Sequence, residues 1–173
     1  MKNPRHNDPI DILGAAYEKM YERVATGLAN ARDKSADILH RIIDEARNRA
    51  IELEELTEED ATRVAQWIKR DMTDAIEYIA EGDNELKDWL GFETRLLETA
   101  FLELMLETAD KTTVELLALK ENARCASVFN TGEITSPGSL VCDQCEEILH
   151  FHKVGKIPPC PKCHATTFHR MLS

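Results

Sequence analysis

The chain has 173 residues, of which 43% are hydrophobic and 31% charged, with only 7 glycines and 6 prolines. That length holds one compact domain, or one larger and one small domain, and the hydrophobic share is enough for an ordinary core. Acidic residues outnumber basic ones 32 to 21, a formal net charge of −11, which argues against a general nucleic-acid binder because affinity for phosphate backbones comes mostly from Lys and Arg releasing counterions.

The charge is unevenly spread. From Ser139 to Ser173 there are four basic residues (Lys153, Lys156, Lys162, Arg170) and three acidic ones (Asp143, Glu146, Glu147). The C-terminal tail is therefore near neutral, and the preceding region holds the excess acid. The first residues, MKNPRHNDPI, contain no apolar core of a signal peptide. No stretch approaches the eighteen apolar residues of a membrane span. The expected location is cytoplasmic, with no membrane partner.

Apolar or small residues recur at Leu13, Tyr17, Met20, Val24, Leu28, Ala31, Ser35, Ile38, Ile42, Ala46, Arg49 and Leu53. Steps of three and four are helical, and Asp8-Pro9 supplies a capping acid and a proline suited to the first helical position. The run predicts one helix of about 45 residues, roughly 65 Å long at 1.5 Å per residue, with a weak patch between Asn30 and Asp37 where it can bend. Thr57 with Asp60 three residues on signals the next start. Val64, Trp67, Ile68, Met72, Ile76 and Ile79 form that helix's face, and Gly82 ends it. A third face follows over Leu86, Trp89, Leu90, Leu97, Phe101, Leu104 and Met105, continuing or restarting toward Val114, Leu117 and Lys120.

The pattern changes after Asn122, where Gly132, Pro137, Gly138, Gly155, Pro158, Pro159 and Pro161 punctuate short runs. Glu133–Thr135, Leu140–Val141, Ile148–His152 and Thr167–Arg170 read as short strands. The expected fold is mostly α: a long antiparallel helical hairpin or coiled-coil region, residues 1–124, then a small β unit with its leading strand, residues 125–173. So slender a helical region buries little of its own surface, so self-association into a homo-oligomer is expected.

Four cysteines lie in that unit as Cys142-x2-Cys145-x14-Cys160-x2-Cys163. Two residues between cysteines let one tight turn aim both sulfurs at a single ion, and the longer spacer suits a hairpin returning the second turn to the first. The pattern predicts a closed zinc site with Cys142, Cys145, Cys160 and Cys163 as ligands. A unit of about 45 residues buries too little surface to fold alone, and metal ligation worth about 10–16 kcal/mol supplies what its core lacks. Four protein ligands leave no open position for substrate, so the zinc is read as structural and the chain as no enzyme. Iron suits the same tetrahedral sulfur cage and is the alternative.

The run FNTGEITSPGSLVCDQCEEILHFHKVGKIPPCPKCHATTFHR resembles the C-terminal ribbon of the YbeL-like zinc-ribbon-containing proteins of proteobacteria. The match is most specific at Gly132-Glu133, Leu140-Val141-Cys142, Cys145, Cys160-Pro161-Lys162-Cys163 and Phe168, and LTEEDATRVAQWIKRDM and Asp110-Lys111-Thr112 match more loosely. The resemblance implies a zinc ribbon carried on acidic helices, with those four cysteines as ligands, and no activity. One departure stands out: Glu146 and His164 follow the second cysteine of each pair, where glycine makes a left-handed turn easiest.

Other residues are weighed against plainer roles. His150 and His152 share one face of a strand and read as a polar outer surface rather than a second metal site. His164 is a bystander beside Cys163, and His40, with Asp37 three residues before it, makes no di-iron motif. Cys125 has only Arg124 as a cationic neighbour and reads as a packed thiol. The acidic run from Glu52 to Asp60 reads as a solvated helix end and start, and Trp67 and Trp89 as core. The sequence points to a non-enzymatic adaptor or regulatory protein, its partner a protein of unknown identity. The alternatives are a transcription- or nucleic-acid-associated ribbon factor and an iron-binding or redox protein.

Overall fold

Pro9 opens the first helix, as its fixed backbone angle favours. In the computed structural model, which describes residues 9–32, 36–80 and 128–171, three helices precede a small β unit: α1 Pro9–Asn30, α2 Ala36–Glu52 and α3 Glu58–Ala80. The expected single long helix is thus two. The break falls in the weak patch, where Ala31 and Ser35 offer little to bury and folding back lets two apolar stripes cover each other. Gly27, near the end of α1, lies against Ile42, near the start of α2, so closely that a Cβ would sit 2.7 Å from Ile42 Cγ2. Lys19 and Arg23, earlier in α1, reach Glu55 beyond the end of α2, so the two helices run antiparallel.

The three helices pack on one another around one core, and among the described residues they form no long coiled-coil hairpin. Tyr17, Met20, Val24 and Leu28 of α1 are buried, as their spacing predicts. In α2 the buried face is Leu39, Ile42, Ile43, Ala46 and Ala50, whereas Leu53 and Arg49 are exposed. Carrying the phase of α1 through the break rotates the expected stripe off the true one. In α3 Val64, Ile68 and Met72 are buried and Trp67 packs at the margin. The third apolar face over 86–120, with Trp89, Gly82 and Cys125, lies outside the described residues. Among the described residues no helix is long and apolar enough to cross a membrane.

The helix ends follow local chemistry. The N–H of Asp60 donates to Thr57 Oγ1 at 3.2 Å, capping α3 as expected. At the end of α2, Glu55 N–H donates to the Ala50 carbonyl and Glu54 N–H to that of Ile51, with Glu54 left-handed at φ 54°, the two bonds of a Schellman turn. That turn presents the Glu55 carboxylate to Arg23, whose Nη1 and Nη2 lie 2.8 and 2.9 Å from its two oxygens, and to Lys19. With Arg63 also paired to Glu59, the acidic run is largely consumed by local caps and pairs.

The strands of the β unit are β1 Val128–Asn130, β2 Ile134–Thr135, β3 Gly138–Cys142, β4 Ile148–Phe151, β5 Gly155–Lys156 and β6 Thr167–Arg170. They form a four-stranded antiparallel sheet in the order β1-β6-β3-β4 and a two-stranded piece, β2-β5. Phe129, Leu140, Ile157, Ala165 and Phe168 form its core together with Cys142 and Cys160. Ile134 and Val154, from the β2-β5 side, belong instead to the helical core. Helices and β unit therefore share apolar packing.

A buried carboxylate fastens that junction. Asp71 of α3 is 2% exposed. Its Oδ2 accepts from the Tyr17 hydroxyl at 2.6 Å and from the Ser136 N–H at 2.7 Å. Its Oδ1 lies 3.0 Å from Arg70 Nε and 3.6 Å from Arg170 Nη2. Arg70 in turn reaches Glu133 Oε2 at 2.5 Å and the Ile134 carbonyl at 2.9 Å. One acid thus ties together α1, α3, the turn after β2 and the last strand. Burial, followed by the Asp71 carboxylate, pushes the Tyr17 phenol well above its ordinary value, so it remains a donor. Burial lowers the Arg170 guanidinium, with Asp71 opposing that shift. Gly138 is required here: its φ is +150°, and a Cβ would lie 2.3 Å from Arg170 Nη1.

Replacing Asp71 by Asn keeps the side chain's shape and removes the charge facing two guanidinium groups. The expected loss is about 3–5 kcal/mol, the usual cost of breaking a buried pair from one side, read as a lower urea midpoint of the full chain. Glu55 gives a pH test. Hydrogen bonds from Arg23 and then Lys19 lower its carboxyl from 4.5 to about 2. A depressed folded value stabilises fully above the unfolded one and is lost as pH falls through the folded one. Glu55→Gln is therefore expected to be less stable than the parent at pH 7, by under about 1 kcal/mol for so accessible a pair, and the two melting curves should converge as pH falls from 4.5 toward 2.

Candidate metal centre

The two Cys-x-x-Cys segments form two turns built alike. Cys142 ends β3, and its N–H donates to the Glu147 carbonyl at 2.9 Å while its carbonyl accepts from Glu146 N–H at 3.0 Å. Cys160 repeats the pattern with Ala165 and His164, both at 2.9 Å. Each turn closes through a left-handed residue, Glu146 at φ 60° and His164 at φ 61°. The geometry that usually falls to glycine is present at both places, carried by side chains that strain it.

Pairing of β3 with β4 and β6 brings the turns together, with Cys142 opposite Phe168. Cys142 Sγ lies 3.5 Å from Cys163 Sγ, Cys145 Sγ lies 3.6 Å from Cys160 Sγ, and all four sulfurs lie within 4.8 Å of one another. Each close contact crosses from one turn to the other. A metal with bonds of about 2.3 Å to four tetrahedral sulfurs would space them about 3.8 Å apart, so the cluster fits one ion at its centre. The cysteines are free thiols, Cys142 and Cys160 buried, Cys145 and Cys163 half-buried.

The clustering shifts the ionisation of Cys145, Cys160 and Cys163 in different directions. At Cys145 the Glu147 N–H favours the thiolate, but burial and the three neighbouring sulfurs outweigh it and push the thiol up to about 12. At Cys160 burial opposes ionisation, yet the N–H groups of Cys163 and Lys162 overcome it and hold the thiol down to about 7. Cys163 is raised, the Ala165 N–H being outweighed by burial and the sulfurs of Cys142 and Cys160. Sulfurs this close push one another's ionisation apart, and a divalent cation replacing the protons removes the conflict.

The histidines stay out of the cage. His164 is exposed on its turn, His150 Nδ1 lies 2.7 Å from Ser139 Oγ, and His152 is exposed just after β4. The sulfur cluster includes none of them. The spacing gave no hint of the pair His169 Nδ1 and Asp143 Oδ1, 2.6 Å apart, which ties β6 to the first turn. Lys162 and Glu147, 3.7 Å apart, link the two turns at the surface.

Glu146→Gly and His164→Gly should each relieve a left-handed side chain and stabilise the metal-bound form by about 1 kcal/mol. The measurement is chelator competition, with half-loss of metal moved to higher chelator concentration. Glu146→Val, branched at Cβ, should move it the other way.

A family model described as a zinc-ribbon containing domain matches residues 26–172. "Uncharacterized protein YbeL" of Escherichia coli strain K12, and the protein of the same name in Escherichia coli O157:H7, are each 26% identical to this chain over 149 residues, covering 86% of it and 91% of their own length. No solved structure matches. The matched stretch takes in α2, α3, the whole β unit and all four clustered cysteines. On the breadth of that match, and on four sulfurs gathered from two like turns, the chain belongs to the family of zinc-ribbon containing domain proteins.

Proposed function

We propose that the protein is a non-enzymatic adaptor whose ribbon is folded by one structural zinc ion and whose acidic helices engage other protein chains. The observation that carries the reading is the closed cage. Cys142, Cys145, Cys160 and Cys163 converge within 4.8 Å, and four sulfur ligands fill zinc's preferred tetrahedron, leaving no position for a water or substrate. The ion's contribution is to take the place of the thiol protons, offset the repulsion among the thiolates and close the hairpin. The residues around it hold the two turns in shape.

The net charge of −11 favours basic protein surfaces as partners over nucleic acid. Four cysteines gathered as metal ligands and not as disulfides suit a reducing compartment such as the cytoplasm. Pairing of the helices with a second copy of the chain belongs to the same reading.

Native mass spectrometry of the full chain is expected to show one zinc per molecule without visible absorption, and none in a Cys160→Ser/Cys163→Ser variant. A coloured protein carrying iron would overturn zinc as the ion. For the adaptor role, affinity capture from source cells is expected to retain protein partners on the full chain, at charge-dependent strength. A full chain that is monomeric and retains nothing beyond a control would overturn that role.

A further inference from the structure

The metal cage and the helix junction are not separate structures, and Phe129 lies in both. Its side chain is fully buried in the cluster that contains Cys142, Cys160 and Phe168. On its ring sit two guanidinium groups, Arg70 with Cζ 3.9 Å from the centroid and Arg170 with Cζ 4.7 Å away. Both arginines contact Asp71. Two strands run the same route. The turn whose Ser136 N–H is held by Asp71 feeds into β3, which runs from Gly138 to Cys142, and β6 leads from Phe168, opposite Cys142, to Arg170.

We propose that this route makes the helix junction dependent on the metal: loss of the ion loosens β3, β6 and Phe129, undoes the contacts at Asp71, and uncovers the α1 and α3 surface that Ile134 and Val154 cover. The proposal rests on the structural-zinc reading above and adds a consequence to it. The cage has few large side chains to hold β3 and β6 once the sulfurs separate. Without them Arg170 and the Ser136 N–H leave Asp71, and a carboxylate at 2% exposure cannot stay buried on Tyr17 and Arg70 alone. The junction then opens as a unit, because a partly satisfied buried network is worse than none. Apolar surface of α1 and α3 then meets solvent.

The test is hydrogen exchange read by mass spectrometry on the full chain, zinc-loaded and after stripping with a thiol-binding mercurial and chelator, with metal content measured on the same samples. The expected result is that stripping speeds exchange at least about tenfold in peptides around Tyr17 and Asp71 as well as in the ribbon, while the α2 segment near Ile43 keeps its protection. Exchange that rises in the ribbon alone, or protection lost equally throughout α2, would overturn the proposal. A chain that binds no zinc at all would instead overturn the reading beneath it. As a second arm, Arg70→Gln should retain one zinc per molecule yet show, while loaded, faster exchange around Tyr17 and Asp71. If zinc-loaded Arg70→Gln exchanges like the parent, the junction does not run through these arginines and the proposal fails.

Discussion

A carboxylate buried between helices must be answered from every side, and much of this fold can be understood as the answer to Asp71. Its partners come from α1, from its own helix, from the backbone after β2 and from β6. Burial of ordinary apolar side chains drives association of α1, α2 and α3, at about 1.5–3 kcal/mol for each large one. That force does not choose where a ribbon docks. The acid does: Tyr17 and Arg70 answer it from the helices, and the ribbon's placement brings the Ser136 N–H and the Arg170 guanidinium to it.

The ribbon depends on a different solution to a similar problem. Its own core is small, with Phe129, Leu140, Ile157 and Phe168 as the large fully buried side chains. Four sulfurs brought within 4.8 Å cannot all carry charge without a cation. The buried cluster that holds Cys142 and Cys160 and the stacking of two guanidinium groups meet on one ring, that of Phe129. Small domains commonly need such a fastening in place of a larger core.

What could be read from the sequence was local. The cysteine spacing, the Thr57 cap, the α3 stripe and four of the strands each depend on residues a few positions apart. The left-handed turns at Glu146 and His164 could be located because their place after a Cys-x-x-Cys pair is a matter of short-range geometry. The place where the first apolar run divides was marked by its weak patch, but that the chain folds back there into two antiparallel helices was not legible, since it depends on which surfaces find partners. Asp71 was missed although its phase was a signal: it stands three residues after Ile68 on the buried side of α3. A lone acid on an apolar stripe marks a site where distant residues must converge. Ile134 and Val154 were likewise invisible as helix partners, being fixed by tertiary docking alone.

The likeness of the two cysteine turns has a consequence for how the chain reaches this state. Cys142 with Glu147 and Cys160 with Ala165 are bonded in the same manner, so each turn is a ready-made two-pronged claw. An ion caught by either claw would have half its ligands at once, and capture by the second would require only that the intervening hairpin close, at an entropy that grows slowly with its length. Assembly could therefore begin at either end of the hairpin, the backbone of each turn being shaped alike.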